Sequence, residues 1–446
     1  MASSHDPTLI FRHFLHSLPR WWSRRRGSLG PPHVVLSLIT MSVLGCRGYE
    51  NTLDEMKVRL GTELGWIRTA DVPSASALSQ ARVKLDAVMC SSIVAEVYAM
   101  CSTARTCASL GYGGLRLLAL DGTKLALPAY KAMQDHFGCP SQGEGRELAG
   151  PQASLTVLWD VGANQPVSWR LGPYKVSERV HADELIGGVG SGDLVIGDRG
   201  FPSRRLLTNL WRQHAQVLVR MRTTGVGVMR EIAAFLSSGA TDLVTTMHGW
   251  DERAETSDHQ VSIPIRLLRV ALADGSSAVY LTTLTDIGRH PSAGILALYA
   301  QRWRIETAFR EMKIWHGLER FHSRRIDGIA QEVAAIMIFQ LLASELEAKA
   351  RVVHQQQRTS VHTEDAAPLV VPYKSVRFNR RIVADCVCRI MFTAASGQDL
   401  DEAFAYAMFR IWRYRQTVKP GRSFPRRRKT APRGWKSRGT KGKGLH

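Results

Sequence analysis

Tyr299-Ala-Gln-Arg302-Trp-Arg-Ile-Glu306-Thr-Ala-Phe-Arg310-Glu-Met-Lys313 is the stretch on which the reading of this 446-residue chain turns. On a helix of about 3.6 residues per turn, Tyr299, Arg302, Glu306 and Lys313 share a stripe about 60° wide. Arg310 falls on the same stripe. Leu298, Ile305, Ala308, Phe309 and Met312 take the adjoining face, which suits packing on a core. One acid is thus set among four side chains able to grip phosphate. Taken alone, the same pattern describes a surface helix with Glu306 paired to Arg302 or Arg310. It gains meaning from two acids earlier in the chain.

Arg116–Leu120 is a short apolar run that leads into Asp121-Gly122-Thr123. Ala153–Asp160 and Pro166–Leu171 read as two further strands, and Asp183–Leu185 begins a helix. Asp193–Gly197 is another buried-strand run, and it leads into Asp198-Arg199-Gly200. The order is strand, strand, strand, helix, strand. Both aspartates stand just past strand ends, the edge at which open α/β sheets bind ligands. Each alone would equally serve as a turn residue.

Outward from these motifs, residues 201–289 are β-rich, with strands expected at Val217–Arg222, Val261–Leu272 and Ala278–Thr285. Residues 291–352 and the first 112 residues read as helical. Within the latter, His33–Gly45, Thr52–Leu64 and Ser74–Leu85 are helix candidates, the last capped by Ser74 or Ser76.

Lys and Arg total 59 against 39 Asp and Glu, a net charge of +20. Such a field attracts polyanions, of which nucleic acid is the commonest in a cell. Fourteen of the cations lie from Arg410 onward, with no acid among them and with Trp412, Tyr414, Phe424 and Trp435 interleaved. Phosphate neutralisation with aromatic stacking fits that pattern. The 44% hydrophobic content excludes a wholly disordered chain or a collagen-like repeat. No unbroken apolar run of membrane-spanning length is apparent, and Arg24–Arg26 follow the first apolar patch, the wrong order for a secretory signal. Seven scattered cysteines without zinc-finger spacing suggest reduced thiols in a cytoplasm.

The residues quoted resemble a family, the DDE-type transposases of the insertion-element-four group. Its signature is Tyr, two residues, Arg, three residues, Glu, six residues, Lys, and Tyr299, Arg302, Glu306 and Lys313 match it in full. Asp121-Gly122-Thr123 and Asp198-Arg199-Gly200-Phe201 match the contexts of its first two acids. Phe137-Gly138, the stretch from Leu171 to Glu178, and Ser76–Arg82 also resemble family text. Pro128-Ala129-Tyr130 and Met133 depart from it. The resemblance runs from about Phe11 to Val352.

It implies an α/β, ribonuclease-H-like catalytic core (residues 113–352) carrying a β-rich insertion subdomain at about 202–290. An α-helical N-terminal domain (1–112) that binds DNA ends would precede the core. Beyond the resemblance, composition alone reads the C-terminal region (353–446) as carrying a basic tail, rich in Gly, Pro, Lys and Arg and disordered without a partner. Asp121, Asp198 and Glu306 would be the catalytic acids. They would hold two Mg²⁺ ions, with Mn²⁺ as a substitute, because hard cations prefer carboxylate oxygen and a metal pair stabilises both oxygens of a phosphoryl transfer. Tyr299, Arg302 and Lys313, with Arg310, would contact phosphates. Trp250, in the insertion, is a candidate to stack on a flipped base, against the commoner core role. The expected activity is cut-and-paste transposition on double-stranded terminal repeats, by a homodimer that pairs two ends, without a membrane. A nuclease that cuts without joining and a non-catalytic DNA-binding regulator are the alternatives.

Overall fold

The computed structural model describes residues 29, 31–45, 48–60, 73–108, 112–140, 150–225, 227–249, 261–272, 275–361, 376–395 and 398–417. Trp250 and residues 418–446 of the basic end lie outside them, as do the expectations attached to those residues.

Among the described residues, five helices come first: α1 (Pro31–Leu44), α2 (Tyr49–Leu60), α3 (Ala75–Val83), α4 (Ala87–Met100) and α5 (Ser102–Ala108). Ser74 caps α3 as expected, its side chain accepting the Ala77 amide at 3.1 Å. Then β1 (Arg116–Ala126), α6 (Lys131–Phe137), β2 (Gln152–Asp160), β3 (Gln165–Pro173), α7 (Glu178–Leu185), β4 (Asp193–Gly197), α8 (Arg204–Arg212) and β5 (Gln216–Met221) follow. The departure at Met133 falls on α6, where the side chain is fully buried and serves packing.

After β5 the chain forms α9 (Arg230–Ser237), β6 (Asp242–His248), β7 (Ser262–Ala271) and β8 (Ser277–Thr282). These strands do not make a sheet of their own. They continue the first one, in the order β3-β2-β1-β4-β5-β8-β7-β6. β1, β4 and β5 run parallel, and the remaining neighbours pair antiparallel. The segment expected as a β-rich insertion subdomain thus supplies one central strand, β5, and widens the same sheet. The physical reason is that β5 has an open edge, and β8 satisfies its backbone groups along Leu218–Met221.

Both faces of the sheet are covered, and the side-chain alternation of strands assigns the residues. Leu117, Ala119, Leu194, Ile196 and Leu218 point to one core; Leu118, Leu120, Val195, Val217 and Val219 point to the other. The second core is closed by α7, α8 and α9. The first is closed by the N-terminal helices together with α10 (Ser292–Ala300), α11 (Trp303–Trp315), α12 (Ile326–Val361), α13 (Arg380–Ala395) and α14 (Leu400–Arg413). Side chains of residues 29–101 and of residues 376–411 thus share one core with the sheet.

In α12, Ile326–His354 is long and apolar enough to cross a membrane, against the sequence expectation, yet 89% of its most apolar window is buried inside the protein. Arg82 of α3 locks this helix to the N-terminal helices. Its guanidinium donates to Glu332 (2.9 Å), Gln331 (2.8 Å), the Gly328 carbonyl (3.0 Å) and the Tyr49 hydroxyl (2.5 Å).

Candidate active site

The site forms where β1 and β4 stop pairing. Their last parallel pair is Leu120 with Gly197, so Asp121 and Asp198 are the next residues on each strand. Asp198 ends β4, as the sequence implied. Asp121 does not end β1, which continues to Ala126 against β2 alone. A side chain on Gly200 would stand 2.9 Å from an Asp198 carboxylate oxygen, and the Gly200 amide donates to that oxygen at 2.7 Å. Glycine in Asp-Arg-Gly is thereby explained as close approach.

The later stretch departs from the single helix that periodicity predicts. α10 ends at Ala300 and α11 begins at Trp303, and a tight turn joins them, with Gln301 donating to the Leu298 carbonyl and Arg302 to that of Tyr299. Such i to i−3 bonds wind the chain more tightly than an α-helix. Tyr299 and Arg302 consequently leave the exposed stripe and are buried, at 9% and 8% exposure. Tyr299 meets Tyr280 edge-on at 4.7 Å.

Arg302 is the hub. It donates to Asp121 Oδ2 at 3.2 Å and pairs with Glu306 Oε1 at 2.7 Å. Its Nε is buried without a partner among the described residues. One guanidinium therefore draws together two acids that stand on different elements. Asp198 lies within the same field, since its charge acts on both Asp121 and Tyr299. Burial pushes the Asp121 carboxyl up to about 7, and the charges of Asp198 and Glu306 add to this against the Gly122 amide and Arg302.

Lys313 is not free for solvent. Its ammonium donates to the Lys124 carbonyl at 2.7 Å and to Glu319 at 3.0 Å, which pins α11 onto β1. Arg310 is exposed, and its guanidinium donates to Thr307 at 3.4 Å rather than to Glu306.

Two features escaped the sequence reading. Beside Asp198 a cavity of about 400 Å³ is lined by Arg179, Arg199, Arg204, Arg222 and Arg230. Arg204 pairs with Glu231 at 2.7 Å, and Arg179 donates to the Gly200 carbonyl at 2.8 Å, whereas Arg199 and Arg222 are exposed. The second is Glu178, which opens α7 and lies against Gly122. Ser177-Glu178 after the third strand was a signal for a capped helix, but nothing in it pointed at Asp121.

The donor chemistry fits a divalent cation. Three carboxylates offer hard oxygens, and the guanidinium between Asp121 and Glu306 already stands in for positive charge. Among the described residues, no three acids or other ligating side chains are yet gathered as a metal-binding group.

A pH dependence follows from Asp121. Its folded value of about 7 exceeds the ordinary 3.8, so the folded state binds more protons than the unfolded one between those values. Without divalent ions, stability is unaffected by this group below pH 3.8 and falls as pH rises toward 7. A cation held by Asp121 would need the charged form and would release this proton. Calorimetric Mn²⁺ titrations in buffers of different ionisation heat should show greater proton release at about pH 6 than at about pH 8. Equal release at both would remove Asp121 from the ligands.

A mixed sheet sets two aspartates at the ends of adjacent paired parallel stretches, and one of them shares an arginine with a glutamate from a later helix. Residues 112–342, a little over half of the chain, match the family described as Transposase DDE domain. The chain belongs to that family. It is 27% identical over 231 residues to the transposase InsG for insertion sequence element IS4 of Escherichia coli K12, a match covering 50% of each chain. It is 29% identical over 150 residues to the putative transposase y4zB of Sinorhizobium fredii, covering 33% of this chain and 41% of that one. The chain spans about half the length of the curated relatives it matches. A solved piggyBac transposase synaptic complex with hairpin DNA aligns with a TM-score of 0.44 at 14% identity, over 91% of this chain and 85% of that one.

Proposed function

We propose that this chain is a DNA transposase that binds the terminal inverted repeats of its insertion element and catalyses metal-dependent strand cleavage and strand transfer. The observation that carries the reading is the shared guanidinium: Asp121 and Glu306 meet on Arg302, with Asp198 at the neighbouring strand end. The strand order β3-β2-β1-β4-β5, antiparallel on one side of β1 and parallel on the other, supports a ribonuclease-H-like core.

In this mechanism Asp121, Asp198 and Glu306 hold the catalytic ions, Mg²⁺ with Mn²⁺ as a substitute. When bound, two such ions stabilise the attacking and leaving oxygens and favour hydroxide formation from water. Arg302 orients the scissile phosphate, and its unpaired Nε offers a further donor to a phosphate oxygen. Tyr299 backs the guanidinium, with its ring centroid 5.9 Å from Arg302 Cζ. Lys313 holds α11 on β1, and a DNA phosphate arriving there would draw on the same ammonium. Arg310, exposed on α11, and Trp250 in the β-rich segment are further proposed partners of the DNA. Two ends would be paired by a homodimer. Reduced thiols and the burial of α12 favour a cytoplasmic setting without a membrane role.

The test is a duplex carrying the element's own terminal repeat, incubated with the full chain, Mg²⁺ and a target plasmid. Nicking at the repeat end and covalent joining to the plasmid are expected; nicking without joining would leave a nuclease, and neither would overturn the reading. The arginine cavity adds a second measurement. Replacing Arg199 and Arg222 together with Ala should reduce the slope of log affinity against log salt by roughly 1.5, about 0.7–0.9 for each phosphate that is no longer neutralised. An unchanged slope would place the DNA elsewhere.

A further inference from the structure

We infer that the arginine-lined cavity takes a nucleoside 5′-phosphate, the phosphomonoester at the end of a DNA strand rather than a phosphodiester within it. The inference rests on the transposase reading and names what one part of the DNA-binding surface recognises. Met221 shares its side of β5 with Val217 and Val219, and with Val228 and Met229 it packs in the core beneath α7, α8 and α9. Asp121 alternates with Leu120 on β1 and so shares the other side of the sheet with Leu117 and Ala119. The cavity and the Asp121 carboxylate therefore stand on opposite faces of one sheet, near the edge where β4 ends. A phosphate held in the cavity is a different one from that at Arg302.

Five guanidiniums reach the cavity from separate elements: Arg179 from α7, Arg199 after β4, Arg204 from α8, Arg222 after β5 and Arg230 from α9. One carboxylate, Glu231, accepts from Arg204 at 2.7 Å and from Arg230 at 3.2 Å. Arg199 and Arg222 are exposed and pair with no other described residue. Like charges gathered in this way repel, and an anion among them relieves the repulsion. A phosphomonoester near pH 7 carries about −1.5 to −2 charge and three acceptor oxygens, more of both than a phosphodiester. Guanidinium forks suit such oxygens. At about 400 Å³ the cavity exceeds what a phosphate fills, and Pro202, Met221, Val228 and Met229 offer an attached nucleoside apolar surface. The proposed activity makes such a group. A cut that frees a 3′-hydroxyl for joining leaves a 5′-phosphate across it: water adds at phosphorus, and the departing oxygen takes the proton. A free nucleotide presents the same chemistry, but the net charge of +20 favours the polymer.

The experiment measures binding to the full chain by fluorescence anisotropy, using a short 3′-labelled single strand that ends in a 5′-phosphate or a 5′-hydroxyl. The phosphorylated strand should bind about tenfold tighter at about pH 7.5, and the preference should shrink at about pH 5.5, where the phosphate regains its second proton. Arg199→Gln combined with Arg222→Gln should bring the two strands within about twofold of each other, with circular dichroism as the check on folding. Equal affinities in the wild-type chain, or a preference that survives the double variant, would overturn the inference. Deoxyadenosine monophosphate and inorganic phosphate serve as competitors. Each should need at least about a hundredfold excess over the phosphorylated strand, whose other phosphates add contacts. Displacement by a smaller excess would assign the cavity to a free nucleotide or to a simple anion, and either sinks the strand-end inference. If the preference is absent while a terminal-repeat duplex still binds, this inference alone fails. If that duplex is not bound either, the transposase reading fails with it.

Discussion

Asp198→Asn should abolish Mg²⁺-dependent cleavage at the element's end while leaving the folded protein bound to that end. The substitution keeps the side chain's shape, and its amide oxygen can still accept from the Gly200 amide as the carboxylate does. It removes one of the charges that would bind the ions. Loss of about 4 kcal/mol of transition-state stabilisation corresponds to roughly a thousandfold in rate, so strand nicking should drop by at least about that factor. A gel assay on labelled duplex reads the rate, and a mobility shift in Ca²⁺ reads binding. Nicking within about tenfold of wild type would remove Asp198 from the chemistry.

Arg82→Ala should be the most destabilising single change among the helices. The Arg82 and Glu332 side chains are 5% and 4% exposed. Removing the arginine strands Glu332 in the interior, and Gln331 and the Gly328 carbonyl lose a donor. Breaking a buried pair from one side costs about 3–5 kcal/mol. His322 still faces Glu332, its amide donating at 2.9 Å, which tempers the effect but does not replace the guanidinium's bonds. Urea unfolding should show the midpoint falling sharply at an unchanged slope. A shift below about 1 kcal/mol would mean that the helices relax to rehydrate Glu332.

Much of the sheet was readable from residue pattern. The runs at 116–120, 193–197 and 217–221 are strands because β-branched and leucine residues there are buried on both faces. β6 was missed, since Leu243 and Val244 are exposed and Thr245-Thr246 break the apolar alternation. The periodicity of residues 299–313 gave the apolar face correctly, with Ile305, Ala308, Phe309 and Met312 buried. It misled about Tyr299 and Arg302, because a periodic pattern carries no mark of a one-turn break in the helix.

Local order along the chain was enough to single out the candidate acids, because strand-end aspartates and a glutamate in a basic helix are each short-range patterns with a recognisable chemistry. What those acids face is a matter of long-range packing. Arg302 reaches Asp121 across 181 residues, Lys313 reaches Lys124 across 189, and Arg82 reaches Glu332 across 250. Such partners follow from how the sheet, the turn after α10 and the central helix stack together. Charge and hydrophobic spacing along one segment do not encode which distant backbone will lie beneath it.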